Sequence, residues 1–526
     1  MISGRKRDAV VLVLLICFGP GMRAQPSSTA PIRLDMETAI RMGVANSFAL
    51  KSLNYRNSAI RALITERWRE YLPSVGASIN RTRNVNMGAQ DSLSNEVRLT
   101  IEQVIYDGGR RDLGVDLARI DGLLAREDFR ITYNELRLEI QRAYLQALAA
   151  RGVILLNQKS LERANLQLRQ TRLEEDLGFA TRVDVYSVAA RVREVELRLR
   201  EARNQYLQAL SSLKQTLNLD YSAELELEGN LLRDYYLRPP VVDIEKLITT
   251  ALGERPEVAR SLATIRRLSK EKEIEEDAWL PRVTVNGYVA RSGENFPVRE
   301  RSWGAGFTIT FPIGSTTSNT NSGLDITNDG SSRTGTTGTD LQFFDDLGYD
   351  RRLLESRLGL AEAVDQHNQL RNGLAIEIQR QYDTLREAWE SIRIGNGRVY
   401  FNYASFHVLE QRYQVGEVRR QEIVEAEIEL VRAQQDLVAA VTNYMIAAYT
   451  LEFSGALEIG ELDLVRHQRG NGNIILSHLL DEDLDQIRNE TPSEDIDTLR
   501  RDLTDPDRRP DPATDDEYLI DRIELE

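Results

Sequence analysis

Cysteine is nearly absent from this chain: Cys17 is the only one in 526 residues, and it lies close to the N-terminus. A fold held by disulfides is therefore excluded. Long apolar runs are missing too. Past residue 24 no stretch of the length a bilayer-spanning helix needs occurs, so any crossing of a membrane requires strands closed into a barrel. Histidine is scarce, and His367, His407, His467 and His478 have no metal-ligand spacing. Gly108-Gly109 lacks the Lys-Ser/Thr of a phosphate-binding loop, and neither a serine elbow nor a thiol nucleophile is visible. No catalytic residue, metal or cofactor is expected. A basic excess is also lacking. The net charge of −15 argues against a nucleic-acid partner. Much of that charge is local, since Asp481 to Glu526 holds 18 acidic and 6 basic side chains. The body of the chain is close to neutral.

The ends read as separate segments. Residues 1–24 have the layout of a secretory signal, with Arg5-Lys6-Arg7 ahead of an apolar core from Ala9 to Phe18 and a cleavage site near Gly21 or Ala24. Lipid attachment at Cys17 is the other reading, with Ile16 where a small residue belongs. The acidic segment 464–526, with Pro506, Pro510 and Pro512, reads as largely disordered.

What is present is a duplication. Tyr71-Leu72-Pro73-Ser74-Val75 recurs 208 positions later as Trp279-Leu280-Pro281-Arg282-Val283, and Leu99-Thr100-Ile101 as Phe307-Thr308-Ile309. Further on, the offset is 238: Glu139-Ile140-Gln141-Arg142-Ala143-Tyr144 returns as Glu377-Ile378-Gln379-Arg380-Gln381-Tyr382. One structural unit is used twice, over 34–240 and 241–463. The change of offset locates a 30-residue insertion between Ile313 and Glu377. Gly314–Thr339 is rich in Ser, Thr, Gly and Asn and shows no hydrophobic pattern, so a flexible insertion is expected over about 314–348, on the same side of a membrane as the C-terminus.

Each unit holds one period-two hairpin, over about 74–105 and 282–313. Val75, Ala77 and Ile79 alternate with small or polar residues, as do Val97, Leu99 and Ile101. Val283 and Val285 do the same, followed by Trp303, Ala305, Phe307, Ile309 and Phe311. Odd positions are apolar throughout, which predicts one shared lipid-facing side. The polar tips near Asn84–Ser94 and Arg291–Arg301 are expected outside the cell. Two soluble hairpins on a core are the alternative, but they leave Trp303, Phe307 and Phe311 without a partner surface. Four strands are too few to close a membrane barrel, so the membrane reading requires an oligomer.

The helical runs are too long for a globule. One extends from Gly108-Gly109 to about Leu177 and its counterpart from Arg351 to Gln414, the first about 100 Å long. Shorter helices, Phe48–Tyr71 and Arg182–Leu219 in the first unit, match the long one when stacked end to end. A seam of alternating three and four spacing runs from Val185 to Leu213 and recurs from Ile423 to Leu451, the mark of coiled-coil packing. Leu123, Leu136, Leu138, Val153 and Leu155 suggest a second seam on the long helix. A soluble coiled coil has the same periodicity.

Over residues 34–460 the chain resembles the TolC-type outer-membrane efflux proteins. The resemblance rests on the duplication, the Leu-Pro step into each first strand, and Tyr106-Asp107-Gly108-Gly109-Arg110 leaving the second. It rests also on the tips Gly178-Phe179-Ala180-Thr181 before Asp184-Val185 and Gly416-Glu417-Val418 before Glu422-Ile423. It implies a mainly α fold with a membrane β-barrel: a homotrimer forming a 12-stranded barrel in outer-membrane lipid, continuous with a 12-helix periplasmic tunnel. It further implies a passive exit duct for efflux or type I secretion, served by a periplasmic adaptor protein and an inner-membrane transporter. Gly178, Thr181, Gly416 and Val418 fall where the adaptor touches. Glu422 and Glu425 fall at the periplasmic gate, with Asp184 at the equivalent tip of the first unit, where capping of the turn is its other reading. Glu427 and Glu429, at other angles of the same helix, are expected to be ordinary surface charges. A secreted periplasmic coiled-coil scaffold without a pore is the competing function.

Overall fold

The computed structural model describes residues 32–84, 92–231, 233–313, 316–327, 331–458 and 460–467. The signal-like segment and nearly all of the acidic C-terminal segment lie outside them. In chain order the elements are β1 (Ile32–Leu34), α1 (Met36–Asn46), α2 (Phe48–Arg69), β2 (Ser74–Asn84), β3 (Ser92–Tyr106), α3 (Arg110–Asp176) and α4 (Arg182–Thr216). Next come β4 (Leu225–Leu227), β5 (Tyr235–Leu237), α5 (Ile244–Glu254), α6 (Pro256–Glu276), β6 (Arg282–Gly293) and β7 (Glu300–Ile313). The chain continues through β8 (Thr316–Thr327), β9 (Ser332–Gln342), α7 (Tyr349–Gln414), α8 (Arg420–Ser454) and β10 (Val465–His467).

The helices form four columns. α3 has 67 residues and α7 has 66. α2 and α4, of 22 and 35 residues, both pack along α3, while α6 and α8, of 21 and 35, pack along α7. α3 also contacts α6 and α8, which joins the two repeats. The α4 seam is buried from Val185 through Val188, Val192, Val195, Leu199 and Ala202 to Leu213. α8 buries more than one seam. Beside Ile423, Leu430, Leu437, Tyr444 and Leu451 it also buries Val431, Val438, Val441, Met445 and Ala448, because its second face lies against α3. On α3 itself Leu138 is buried and Leu136 and Val153 are half-buried on the core, but Leu123 is exposed.

The main core lies midway along the columns, where the short pairs β1–β4 and β5–β10 cover the helices. Two tyrosines anchor the chain crossing there. Tyr144 donates to the carbonyls of Leu34 (3.1 Å) and Glu228 (2.8 Å), and Tyr444 donates to the carbonyl of Arg238. Starts of helices are set by local chemistry: Asp35, Ser47 and Asp243 each accept a backbone N–H of the first turn, and Pro256 opens α6.

The strands form one antiparallel sheet in the order β2-β3-β6-β7-β8-β9. The chain thus contributes six strands, not four. The segment expected to be a flexible insertion is instead the third hairpin. Its β8 pairs with β7 from Ser302↔Thr327 to Ile313↔Thr316, and β9 pairs with β8 along its whole length. No hydrophobic alternation betrays it, because Ser, Thr, Asn and Gly occupy most of both faces; Thr still favours an extended, cross-paired backbone. Its placement is corrected as well. The helices that join the sheet, α2, α3, α6 and α7, all do so at one end, through 70–73, 107–109, 277–281 and 343–348, whereas residue 331 lies at the opposite end with the tips beside 84, 92 and 294–299.

Candidate functional site

Two regions carry the functional candidates: the faces of the sheet and the far tips of the helices.

On the sheet, register decides which side chains share a face. Val75, Ile79, Val97, Leu99, Ile101, Val283, Val285, Trp303, Phe307, Ile309 and Phe311 all fall on one side, as their odd numbers require. Val289, Ile313, Leu324, Ile326 and Leu341 join them and were missed in the sequence, the last three because β8 and β9 were not seen as strands. On β8 the parity changes, so even positions take this face. A bulge between Val104 and Tyr106 turns Tyr106 onto the same face, opposite Val283. Much of this apolar surface is uncovered: Ile79 is 74% exposed, Val289 61%, Trp303 47% and Phe307 42%. From Trp303 to Ile313 the strand rises about 33 Å, or about 25 Å of height at a tilt of about 40°. That is the height of a hydrocarbon band.

The other face is polar and partly stripped of side chains. Tyr288 on β6 donates to Asp325 on β8 at 2.6 Å, reaching across Gly304 of β7. Only glycine permits this, because a Cβ on Gly304 would meet Asp325 Oδ1 at 2.4 Å and Tyr288 Cε1 at 2.5 Å. Arg98 of β3 stacks on the Tyr288 ring at 4.2 Å and pairs with Glu96 at 2.7 Å, so a polar chain ties β3 to the third hairpin. One row away Gly306 pairs with Gly323, and a Cβ on Gly306 would meet the backbone carbonyl of Ser322 at 2.8 Å.

At the helical tips the two repeats use one design. Each long helix ends in a left-handed glycine, Gly178 (φ +80°) and Gly416 (φ +78°). Phe179 N–H bonds the carbonyl of Glu174 and Glu417 N–H that of Arg412, closing a Schellman turn in both. Thr181 then caps α4. Its backbone N–H and hydroxyl donate to Asp184 Oδ2 at 2.8 and 2.6 Å, and Asp184 N–H returns a bond to the threonine hydroxyl. These bonds hold the Asp184 carboxyl below the usual range. Glu422 occupies the same third position of α8 and accepts only a long 3.4 Å bond from Arg419 N–H, since arginine has no acceptor to complete the box. Glu425 accepts from Gln421 at 2.9 Å. Both glutamates are exposed, and Val418 lies between them and Gly416 in the turn.

The sequence reading missed two features here. Arg420 at the start of α8 pairs with Glu174 at the end of α3 and lies against Tyr413 at the end of α7, whose hydroxyl also reaches Glu174 at 3.3 Å. This cluster fastens the two tips together. The pairing joins residues far apart in the chain, so no local pattern announces it. Glu427, expected as a surface charge, is 3% exposed. It lies near Arg163 of α3, 3.4 Å away, and near the buried Arg191 of α4; burial pushes its carboxyl up and the two guanidiniums pull it back. Glu429 is exposed as expected.

A family model described as Outer membrane efflux protein matches residues 40–219. Over that third of its length the chain is similar to the family. The chain is an outer-membrane protein. It is 21% identical over 389 residues to the outer membrane efflux protein BepC of Brucella suis biovar 1 (strain 1330), across 72% of this chain and 76% of BepC. Its fold is similar to the Campylobacter jejuni CmeC outer membrane channel, with a TM-score of 0.64 at 14% identity over 81% of this chain and 87% of CmeC. It is likewise similar to the outer membrane protein VceC of Vibrio cholerae, with a TM-score of 0.64 at 14% identity over 80% and 95% of the two chains. Among the described residues no group of His, Cys, Asp and Glu is arranged to hold a metal ion.

Proposed function

We propose that this protein is the passive exit duct of a tripartite efflux or type I secretion machine, working as a homotrimer with a periplasmic adaptor and an inner-membrane transporter. One observation carries the reading: a six-stranded sheet with an uncovered apolar band on one face has all its helices at one end. The edges β2 and β9 each have 11 residues and run antiparallel to one another, so β9 of one copy meets β2 of the next. Open edges are not tolerated in lipid. Three copies close the ring with eighteen strands rather than twelve, and their helix columns make a twelve-column periplasmic tunnel. Since barrel diameter grows roughly linearly with strand number, the exit bore is about half again as wide as a twelve-stranded one.

At the inner end the Arg420–Glu174–Tyr413 cluster holds the tips closed, and Glu422 and Glu425 ring the mouth with negative charge. Gly178, Thr181, Gly416 and Val418 present the turns to the adaptor. The chain has no nucleotide site in its sequence, so energy comes from the transporter. The pore-free periplasmic scaffold is not favoured, because it leaves the apolar sheet face in water. Reconstitution into planar bilayers tests the reading: the account expects stable conductance from a carbonate-resistant trimer. A protein that washes off membranes in carbonate and never conducts would refute it.

A further inference from the structure

Charge is divided between the two faces of the sheet. Strand residues Glu96, Glu102, Glu300, Asp325 and Asp340 all lie on the inner, polar face. On the outer face of the described strand residues there is no acid, while Arg81, Arg83, Arg291, Arg301 and Arg333 are there and exposed. Arg81, Arg291, Arg301 and Arg333 have no acidic partner among the described residues.

These arginines are confined to the tip end. Carried along the register onto β2, Arg291 and Arg301 fall level with Ile79, and Arg333 level with Ala77, against Arg81 and Arg83 on β2 itself. The steady drift across the sheet is what a line of constant height traces over tilted strands. Immediately below, on the same face, Trp303 stands beside Val289 and Ile326. An indole at that level marks the boundary between hydrocarbon and headgroups, so the guanidiniums sit at headgroup height. The guanidinium fork fits phosphate oxygens two at a time.

We propose that this outward arginine belt binds the phosphate groups of phosphorylated glycolipid headgroups in the outer leaflet, anchoring the barrel at that leaflet. The proposal rests on the outer-membrane barrel read above. It is tested with the full chain in mild detergent, titrated with fluorescent diphosphorylated lipid A and with the same lipid after enzymatic removal of its phosphates. The phosphorylated form should bind at least about tenfold tighter. The pair Arg291→Gln and Arg301→Gln should lose most of that difference, and Arg98→Gln, on the inner face, should keep it. Millimolar inorganic phosphate should displace little of the lipid. Equal affinity for the two lipids, an equal loss in Arg98→Gln, or full displacement by inorganic phosphate would each overturn the belt. Comparing two lipids on the unaltered protein does not depend on any variant folding. Carbonate-resistant insertion into phosphatidylcholine vesicles reads the barrel separately. A chain that inserts yet treats both lipids alike loses only the belt; one that does not insert loses the barrel reading.

Discussion

Tyr288 hydrogen-bonds Asp325 at 2.6 Å across the bare backbone of Gly304, and this bond fixes the third hairpin to the second. Hydrogen bonds to a charged group contribute about 1.5–3 kcal/mol. Tyr288→Phe should therefore lower the thermal stability of the assembled protein modestly. Gly304→Val should do far more, because its Cβ would need space that Asp325 and Tyr288 occupy. Heat-dependent mobility on gels compares them. Equal, negligible effects would mean that β8 does not lie beside β7.

The hairpin ends have a definite sidedness. Cysteines placed at Glu294 and Ser331 should both react with an impermeant thiol reagent on intact cells, whereas one at Glu362 on α7 should not. Labelling at Glu294 without labelling at Ser331 would return the third hairpin to the periplasm.

The two faces of β7 should tolerate charge differently. Phe307→Asp puts a carboxylate on the apolar band, at a cost smaller than the about 2–4 kcal/mol a lysine or arginine incurs at mid-depth, while Thr308→Asp puts one on the polar face. The first should reduce the yield of assembled oligomer and the second should not. Equal yields would mean that the faces are misassigned.

Glu452 is buried, accepts the N–H of Gly460, and has its carboxyl pushed up by burial to about 7. Its value in the unfolded chain is near 4.5. Between those values the folded state holds the proton that the unfolded state has lost, so stability falls as pH rises through that window and is level above it. The contribution is on the order of 3 kcal/mol. Glu452→Gln should remove this part of the pH dependence and raise stability at pH 8 relative to the parent. Parallel stability curves for the two proteins from pH 5 to 8 would contradict the assignment.

How much of this was legible in the sequence depends on where each signal is stored. The duplication, the long helices and the apolar face of β2, β3, β6 and β7 are written in periodicity, which one chain displays openly. The third hairpin is not, because Thr320, Ser322, Thr337 and Thr339 carry hydroxyls where apolar residues would advertise a lipid face. Those hydroxyls pair across the strands, Thr320 with Thr339 and Ser322 with Thr337 at 3.2 Å. Glu422 and Glu425 were placed at the helical tip by motif order, and both are exposed there. The Glu174–Arg420 contact and the burial of Glu427 depend on packing between repeats, which no local spacing encodes.

The tip should respond to charge and to its tie separately. Arg420→Ala removes the link between the repeats and should increase the open fraction of single channels. Glu422→Gln with Glu425→Gln should weaken cation selectivity, most at low salt where screening is least. Glu429→Gln is the proper control, since Glu427 is buried and its loss would disturb packing. If Glu429→Gln shifts selectivity as much as the pair, the mouth is elsewhere.

The central claim is that each chain gives six strands to a ring closed by three copies, and disulfide trapping tests it directly. Ile79→Cys on β2 is combined in turn with Gly335→Cys, Thr337→Cys and Thr339→Cys on β9, all on the outward face. The account predicts that at least one pair, oxidised in membranes, yields a covalent species of three chains on non-reducing gels. Trapping of Ile79→Cys instead with Ala305→Cys, Phe307→Cys or Ile309→Cys on β7 of a neighbour, with none to β9, would show a twelve-stranded barrel and contradict it.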